Sequence, residues 1–386
     1  MRIGCTKKLL DHLAISPAET PTTEKPLFSF SANLLTLNRR KCIVVLNDAC
    51  CCGFLLYGVT AKDKKQIQQR LEAGLRNMLA SENYAKDVID RYIADCAFPA
   101  VICKTASRSA VTRLNQFCER VTRFSGCFEP DDPFQTILLP MLNDDIKMLK
   151  DHKERDCYFT YKELERLMRE EYGRVFRCRA GVFDVTLQLE TPCVRRVTIP
   201  LDFSMFYVHD VIQHLFLWQN YHIHEFVTEL KNGRPVRCVV DPAQWENEYP
   251  AGDCAYLDEN TVLLSDIFPD TDRMIYVYDF GDEWTHEIRL IEILEDADIP
   301  APVCAEMTGD APPEDCGGPG GYAELQKALR SPDDPQYREL LEWFRGMRSY
   351  QKTIQWVNSD LRRRYLAGAW DLYYTFSDAA EDDLDF

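Results

Sequence analysis

The sequence predicts an α+β protein of two domains, each built from a mixed or antiparallel sheet with packed helices. The 386 residues are 46% hydrophobic and 28% charged, which is an ordinary globular composition, and the length accommodates two or three domains. Strand-like and helix-like apolar spacings alternate along the chain. The formal charge also changes sign: residues 1–130 carry +7, and since the total is −17, residues 131–386 carry −24.

The first domain is predicted over residues 1–150. It opens with a short strand at 2–5 and a helix at 7–13, for which Thr6 is a suitable N-cap. Apolar spacing then predicts further strands at 34–37, 42–46 and 100–103, and helices at 64–79, 88–94 and 109–121. We interpret residues 151–177 as a connecting segment whose helix, 159–172, ends at Gly173.

The chain has 16 cysteines, and three of them, Cys50, Cys51 and Cys52, are consecutive. Cys-x-x-Cys does not occur twice, so the spacing is not that of a zinc module. We expect small, buried thiols that fill a core, and a redox or soft-metal site is the alternative. The first residues lack a signal-peptide pattern and no apolar run approaches a membrane span, so we expect a cytoplasmic protein without membrane contact.

The second domain is predicted over residues 178–370, followed by an acidic tail at 371–386. Apolar alternation predicts a hairpin of strands at 183–189 and 195–200, then a helix at 208–218, a strand at 222–227 and a long hairpin over 274–294. The order strand, strand, helix, strand is typical of a β-grasp opening. Gly281 is expected at the tip of the long hairpin with unusual backbone angles. If the turn spans residues 280–284, Tyr278 is expected to face His286 across the hairpin.

The first domain resembles a bacterial family of unknown function, series number 6933. The segments that carry this resemblance are residues 1–10, 27–35, 38–48 and 107–115. Phe30 departs from the family, which has tryptophan there. The resemblance implies a domain identity and no activity.

The second domain resembles the plasmid pRiA4b Orf-3-like family over roughly residues 180–365. The resemblance rests on Tyr-Val-Tyr-Asp-Phe-Gly-Asp-Glu-Trp-Thr-His-Glu-Ile at 276–288, on Pro-Pro-Glu-Asp-Cys-Gly-Gly-Pro-Gly-Gly-Tyr at 312–322, and on Trp218 with His-Ile-His-Glu-Phe at 222–226. Val194 replaces a tryptophan of the family, and Leu217 stands where glycine is common. The resemblance implies a protein of bacterial plasmids or mobile elements.

The polar residues of these blocks form a candidate functional cluster around the long hairpin: Asp279, Asp282, His286, Tyr278 and Trp284. His222 and His224 are two residues apart and would project from one face of a strand. With Cys304 and Cys316 they supply the ligand types of zinc. No cofactor is expected from the sequence, and a divalent metal such as zinc is the alternative. In the competing interpretation, the aspartates bind turn amides and the histidines lie in a polar core.

We favour a non-enzymatic binding or accessory protein, because the recognisable blocks specify a fold more than a reaction. The alternative is a metal-dependent hydrolase acting on nucleic acid, in which Asp279 and Asp282 hold the ion and His286 is the general base. The partner is an unknown protein or nucleic acid. Nucleic acid, if bound, is expected at the basic residues 1–130, through Arg39, Arg40, Lys41, Arg113 and Arg120.

Overall fold

The structure is a computed structural model that describes residues 1–21, 25–105, 107–148, 157–248, 254–346 and 353–366. It divides into two compact units, and each is described by itself. The first contains Met1–Arg177 and, among the described residues, the end of the last helix from Arg363; the second contains Cys178–Arg362. Both units combine sheets with helices, so the predicted α+β class is confirmed. The predicted acidic tail lies outside the described residues.

The first unit is built on a five-stranded mixed sheet. Its strands are β1 (Arg2–Cys5), β2 (Ser29–Leu37), β3 (Arg40–Asn47), β4 (Gly53–Tyr57) and β5 (Val101–Lys104), in the order β4-β3-β2-β1-β5. β1 runs parallel to β2 and to β5, whereas β2, β3 and β4 form antiparallel pairs. A separate ribbon pairs β6 (Ile146–Met148) with β7 (Cys157–Phe159).

Among the described residues up to Arg177, seven α-helices complete the first unit. They are α1 (Lys7–Leu13), α2 (Ala61–Lys65), α3 (Ile67–Ser81), α4 (Lys86–Cys96), α5 (Arg108–Arg123), α6 (Leu139–Asn143) and α7 (Thr160–Tyr172). The predicted helices at 7–13, 88–94 and 109–121 are therefore present, and 64–79 is divided between α2 and α3. Thr6 does not cap α1 through its side chain, because its hydroxyl donates to Asn33 Oδ1 at 2.9 Å.

The core of the first unit is largely apolar, with a few buried polar side chains such as Asn47 and Asn143. All five residues of β4 are buried, and Cys42, Cys50 and Cys52 have no exposed surface. The 15 cysteines whose side chains the structure describes are free thiols. Their placement is that of small residues filling space between larger apolar ones.

Helix α7 lies within the segment that we interpreted as a connector. It contributes Leu164 and Met168 to the first core, where Val175 and Phe176 are buried as well. Its predicted end at Gly173 is observed, with a left-handed φ of 76°. The apolar face of α7 therefore belongs to the first unit rather than to an exposed link.

The second unit is built on an eight-stranded sheet. Its strands are β8 (Cys178–Leu187), β9 (Cys193–Pro200), β10 (His224–Glu229), β11 (Pro235–Val239), β12 (Ala255–Asp258), β13 (Arg273–Tyr278), β14 (Trp284–Ala297) and β15 (Val303–Thr308). They lie in the order β12-β11-β10-β13-β14-β8-β9-β15. β11 and β12 are parallel, and the other neighbours are antiparallel.

The helices of the second unit vary in length from four to thirteen residues. They are α8 (Met205–Phe216), α9 (Pro242–Glu248), α10 (Leu264–Ile267), α11 (Gly318–Arg330), α12 (Arg338–Gly346) and α13 (Ile354–Leu366), whose residues from Arg363 belong to the first unit. Both predicted hairpins are present, as β8–β9 and β13–β14. The order strand, strand, helix, strand is also present, with β13 and β14 inserted between β8 and β10 in the sheet.

The alternation of side chains along β9 determines which of its two arginines is buried. Residues of β9 alternate between buried and half-buried, so Arg195 points inward and its neighbour Arg196 points outward. The guanidinium of Arg195 donates to the carbonyls of Leu215 and Thr308, each at 3.0 Å. A buried cation is thus held by backbone carbonyl oxygens.

Candidate functional site

The turn between β13 and β14 spans residues 279–283. Gly281 lies at the middle of this turn, as predicted. The left-handed φ values of 56° and 57° belong to Asp279 and Glu283, so the unusual backbone angles expected of Gly281 are not found. Asp279 Oδ1 accepts hydrogen bonds from the amides of Gly281, at 2.9 Å, and Asp282, at 3.3 Å. An aspartate tolerates the left-handed region because its side chain bonds the local backbone.

The register of the hairpin separates the residues that were expected to converge. Tyr276 pairs with His286 and Tyr278 pairs with Trp284, so the expected Tyr278–His286 pairing is wrong. His286 has no exposed surface, and its ring meets the edges of Phe216 and Trp218. The turn occupies residues 279–283, one residue earlier than the expected 280–284, and this displacement moves every cross-strand partner by two positions.

His286 is a core residue in the structure. Its Nδ1 lies 3.2 Å from the carbonyl oxygen of Trp284, and burial lowers the pKa of the imidazole to about 3. Asp282 instead accepts a hydrogen bond from the amide of Gly317, at 3.2 Å. No hydrogen bond or ion pair of the described residues joins Asp282 to His286, so the predicted pairing of ion ligand and general base is not formed.

Tyr278 and Trp284 of the candidate cluster are buried and support the loops around the turn. Tyr278 Oη donates to Glu314 Oε1 at 2.5 Å and accepts from the amide of Tyr221 at 3.0 Å. Burial raises the pKa of the Glu314 carboxyl. Trp218 stacks on Tyr278 with ring centres 5.1 Å apart. These contacts tie the loop before α11 to the segment that follows α8.

The two histidines near β10 lie in different environments, so the prediction that they share a strand face is wrong. β10 begins at His224, and His222 precedes it. His224 is 5% exposed, and its Nε2 lies 2.8 Å from Glu259 Oε2. Burial lowers the pKa of His224 to about 3 and raises that of Glu259 to about 7.

His224 belongs to a buried polar network that the sequence analysis did not identify. Its ring stacks on that of His209, with centres 3.5 Å apart and planes 2° from parallel. His209 Nδ1 and Gln213 Nε2 both contact Tyr276 Oη, at 2.8 and 3.0 Å. The spacing of His209 and Gln213, four residues apart on a helix with apolar neighbours, was the available signal for a buried polar stripe.

His222 meets two carboxylates instead. Its Nε2 lies 3.1 Å from Asp315 Oδ1 and 3.6 Å from Asp279 Oδ2. One ligand atom from each of the three residues lies within 4.8 Å of the other two. We call His222, Asp279 and Asp315 the hairpin-turn cluster. Asp315 stands in the 312–322 block, 93 residues after His222.

The predicted cysteine ligands are placed elsewhere. Cys304 lies on β15, where its thiol donates to the carbonyl of Glu306 at 3.4 Å. Burial raises the pKa of Cys304 to about 11 and that of Cys316 to about 12. Neither thiol is part of the hairpin-turn cluster.

The predicted nucleic-acid residues of the first unit divide into exposed and anchored side chains. Arg39 is exposed. Arg40 donates to the carbonyl of Pro130 at 2.6 Å, and Lys41 donates to Thr36 Oγ1 at 3.0 Å. The structure places Arg113 half-buried on α5.

Arg120, on the same helix, is held by the fold. Its guanidinium donates to the carbonyls of Met141, at 2.6 Å, and Asp144, at 2.8 Å. Asp145 lies 3.7 Å from the same group, and burial lowers the pKa of Arg120. Arg120 therefore joins α5 to the α6–β6 region, and the prediction of a solvent-facing contact residue is wrong for it.

The fold and the site define a two-domain α+β protein whose second domain gathers histidine and carboxylates at a hairpin turn. Residues 179–358 match the plasmid pRiA4b ORF-3-like protein family, and residues 2–158 match a domain of unknown function, DUF6933. The chain belongs to the plasmid pRiA4b ORF-3-like family, with a DUF6933 domain preceding that region. Both predicted resemblances are confirmed.

Two further proteins are similar to part of the chain. The uncharacterized protein y4hQ of Sinorhizobium fredii is 35% identical over 162 residues, which are 41% of this chain and 77% of that protein. The crystal structure of the protein of unknown function MM3350 from Methanosarcina mazei is 26% identical, covers 44% of this chain and 90% of its own, and has a TM-score of 0.39. Within the described parts of the chain, no helix has the length and apolar character of a membrane span.

Proposed function

We propose that this protein is a non-enzymatic binding protein whose second domain holds a divalent metal ion at the hairpin-turn cluster. The observation that carries the proposal is the convergence of His222, Asp279 and Asp315 from three separate loops. Imidazole nitrogen and carboxylate oxygen are both common zinc ligands, with bond lengths of about 2.0–2.2 Å. Zinc is accordingly the ion that we propose.

The distances support a tetrahedral ion. Bonds of about 2.1 Å at tetrahedral angles place neighbouring ligand atoms about 3.4 Å apart. The two distances from His222 Nε2, 3.1 Å to Asp315 and 3.6 Å to Asp279, lie on either side of that value. The ligand atoms of Asp279 and Asp315 lie within 4.8 Å of each other, so three donors are available to one ion and a fourth position is left for another ligand.

A binding role is favoured over the hydrolase alternative by the location of the proposed base. His286 is enclosed by aromatic rings and its pKa is lowered to about 3 by burial, so it has no route to a substrate proton near neutral pH. Asp282, the second proposed ion ligand, is bonded to the amide of Gly317. The hairpin thus lacks the arrangement of base and ion that the hydrolase requires.

The setting in which the protein works is also part of the proposal. The plasmid named in the family's description and the relative from Sinorhizobium fredii support a role as an accessory protein of bacterial mobile elements. The negative balance of the second domain argues against nucleic acid as its partner. We therefore propose a protein partner for this domain, in the cytoplasm.

Calorimetric titration of the chelator-treated full chain with Zn²⁺ tests the proposal. We expect one zinc per chain, and at least tenfold weaker binding in Asp315→Asn, because this change removes a charged ligand. The Asp315 side chain is 60% exposed and asparagine tolerates its left-handed φ of 57°, so the fold should persist. Asp333→Asn removes the same charge from an exposed position and is the matched control. Absence of zinc binding, or equal affinity in both variants, would contradict the proposal.

A further inference from the structure

The hairpin-turn cluster is bordered by exposed apolar side chains. Tyr221 is 69% exposed and Ile223 is 61% exposed, and they flank His222 in the chain. Phe280, which follows Asp279, is 38% exposed. The amide of Asp279 donates to the carbonyl of Ile223 at 3.0 Å, so the two loops are joined at the cluster. Apolar groups that border a polar site in this way are typical of a binding surface.

The charges around the cluster restrict what can bind there. Asp279 and Asp315 together balance the charge of a divalent ion. Glu314 and Asp282 add further carboxylates, the latter bonded to the amide of the residue beside Cys316. Across the described ranges, the ion pairs of these four carboxylates involve only His222, with no lysine or arginine. An anionic ligand therefore meets net repulsion at the ion.

From these two observations we propose that the metal ion takes, as its fourth ligand, a histidine imidazole from an apolar segment of a partner protein. This inference rests on the proposed metal site. Among the protein side chains that commonly bind zinc, the imidazole is neutral, whereas thiolate and carboxylate carry negative charge. Tyr221, Ile223 and Phe280 supply apolar surface for the residues on either side of that histidine.

The proposal accounts for the position of the apolar residues next to the metal ligands in sequence. A single histidine bound to an exposed ion gains little specificity. Packing of its neighbours against Ile223 and Phe280 removes apolar surface from water and selects the segment around it. We call Tyr221, Ile223 and Phe280 the apolar border. The metal would fix the register of the partner segment, and the apolar border would select its composition.

Cobalt substitution provides the test, because the visible absorption of Co²⁺ responds to its ligands. The full chain is loaded with Co²⁺ and titrated with a peptide that has one histidine between leucines, with the same peptide carrying alanine for histidine, and with inorganic phosphate. We expect the histidine peptide to shift the cobalt bands, and the alanine peptide to bind at least tenfold more weakly. Phosphate is expected to leave the spectrum unchanged.

The apolar border is tested by Ile223→Ser. We expect about tenfold weaker binding of the histidine peptide with an unaltered cobalt spectrum of the peptide-free protein. Leu329→Ser, at a side chain that is 48% exposed on α11, is the matched control and should bind the peptide normally. Equal peptide affinity in both serine variants would overturn the role of the border.

The failures of the two proposals are distinguishable. A chain that shows no protein-bound cobalt spectrum contradicts the metal site itself. A cobalt-bound chain that ignores the histidine peptide, or responds to phosphate instead, retains the metal site and overturns the histidine inference, with phosphate indicating a nucleic-acid or nucleotide ligand.

Discussion

The two domains build their interiors from different chemistry. In the first, β3 and β4 bury aliphatic side chains with Cys42, Cys50 and Cys52 as filler. In the second, the interior contains a guanidinium, three imidazoles and a carboxyl group: Arg195, His209, His224, His286 and Glu259 are each at most 5% exposed. The apolar interior depends on shape, whereas the polar interior also depends on every donor having its acceptor.

The difference predicts which substitutions destabilise each domain most. Loss of a methyl-sized group from an apolar core costs packing and leaves a small cavity. Removal of one partner from a buried polar pair leaves the other without compensation, which costs several times more. The polar core of the second domain should also respond to pH, because its histidines are held neutral.

Arg195→Ala should have the largest effect. It removes the donor to the carbonyls of Leu215 and Thr308 and the cation above the ring of Phe216. We expect the free energy of unfolding of the second domain to fall by about 3–5 kcal/mol. Hydrogen exchange followed by mass spectrometry on the full chain reports this for each domain separately.

The adjacent Arg196→Ala is the matched control. Arg196 is 38% exposed in its side chain and pairs with Asp184 and Glu306 at the surface, where ion pairs contribute about 0–1 kcal/mol. Similar losses of unfolding free energy in Arg195→Ala and Arg196→Ala would show that the buried guanidinium contributes no more to stability than the surface one.

A second prediction concerns pH and His286. Burial lowers its pKa from 6.5 to about 3, so between these values the unfolded state binds a proton that the folded state does not. Stability that is present above pH 6.5 is therefore lost as the pH falls. From pH 6.5 to 5 we expect the wild-type second domain to lose about 2 kcal/mol more than His286→Leu does.

Comparison of the variant with the wild type is needed because Glu259 acts in the opposite direction. Its pKa is raised to about 7 by burial, so its contribution to stability falls as the pH rises from its unfolded value towards 7. That contribution is common to both proteins and cancels in the difference. Equal pH slopes for the wild type and His286→Leu, measured by urea denaturation at each pH, would be incompatible with a neutral buried imidazole.

The smallest effect is expected in the first domain. Cys42 has no exposed surface and lies between Leu35 and Tyr57 in the sheet register. Cys42→Ala should cost about 1 kcal/mol, the loss of one sulfur-sized contact group. Cys42→Ser should cost roughly 1 kcal/mol more, because its hydroxyl enters an apolar site. A serine variant as stable as the alanine variant would mean that this core supplies a polar partner. Hydrogen exchange of the first domain measures the loss of stability in both variants.

Periodicity in the sequence was sufficient to predict most elements. The alternation along β8 and β9 predicted a hairpin, and the apolar spacing of α5 predicted a helix close to its observed bounds. These patterns succeed because each element buries one face, and the face is visible in the order of the residues. The composition of the cores is less visible, since a histidine in a helix does not reveal whether it is buried.

The candidate site was predicted only in part. Asp279 and His222 were identified, but their partner Asp315 is 93 residues from His222, and no local pattern joins the two. The two histidines separate because β10 begins at His224. His222 lies before the strand, so its side chain is not bound to the strand face and lies next to the carboxylates. Gly281 was chosen for its intrinsic freedom, whereas a side-chain bond from Asp279 stabilises the left-handed turn instead.

The stack of Trp218 on Tyr278 gives the protein an optical reporter. All six tryptophans lie at or beyond position 218, and residues 1–177 contain none. Trp218 and Trp284, with ring centres 5.8 Å apart, are 6% and 0% exposed, so their fluorescence should be blue-shifted while the second domain is folded. Tyr278 directly precedes Asp279 in the chain, which places these emitting rings beside the hairpin-turn cluster. Emission excited at tryptophan's red edge would thus report on the chain from residue 218 onward without a label, because residues 1–177 contain no tryptophan.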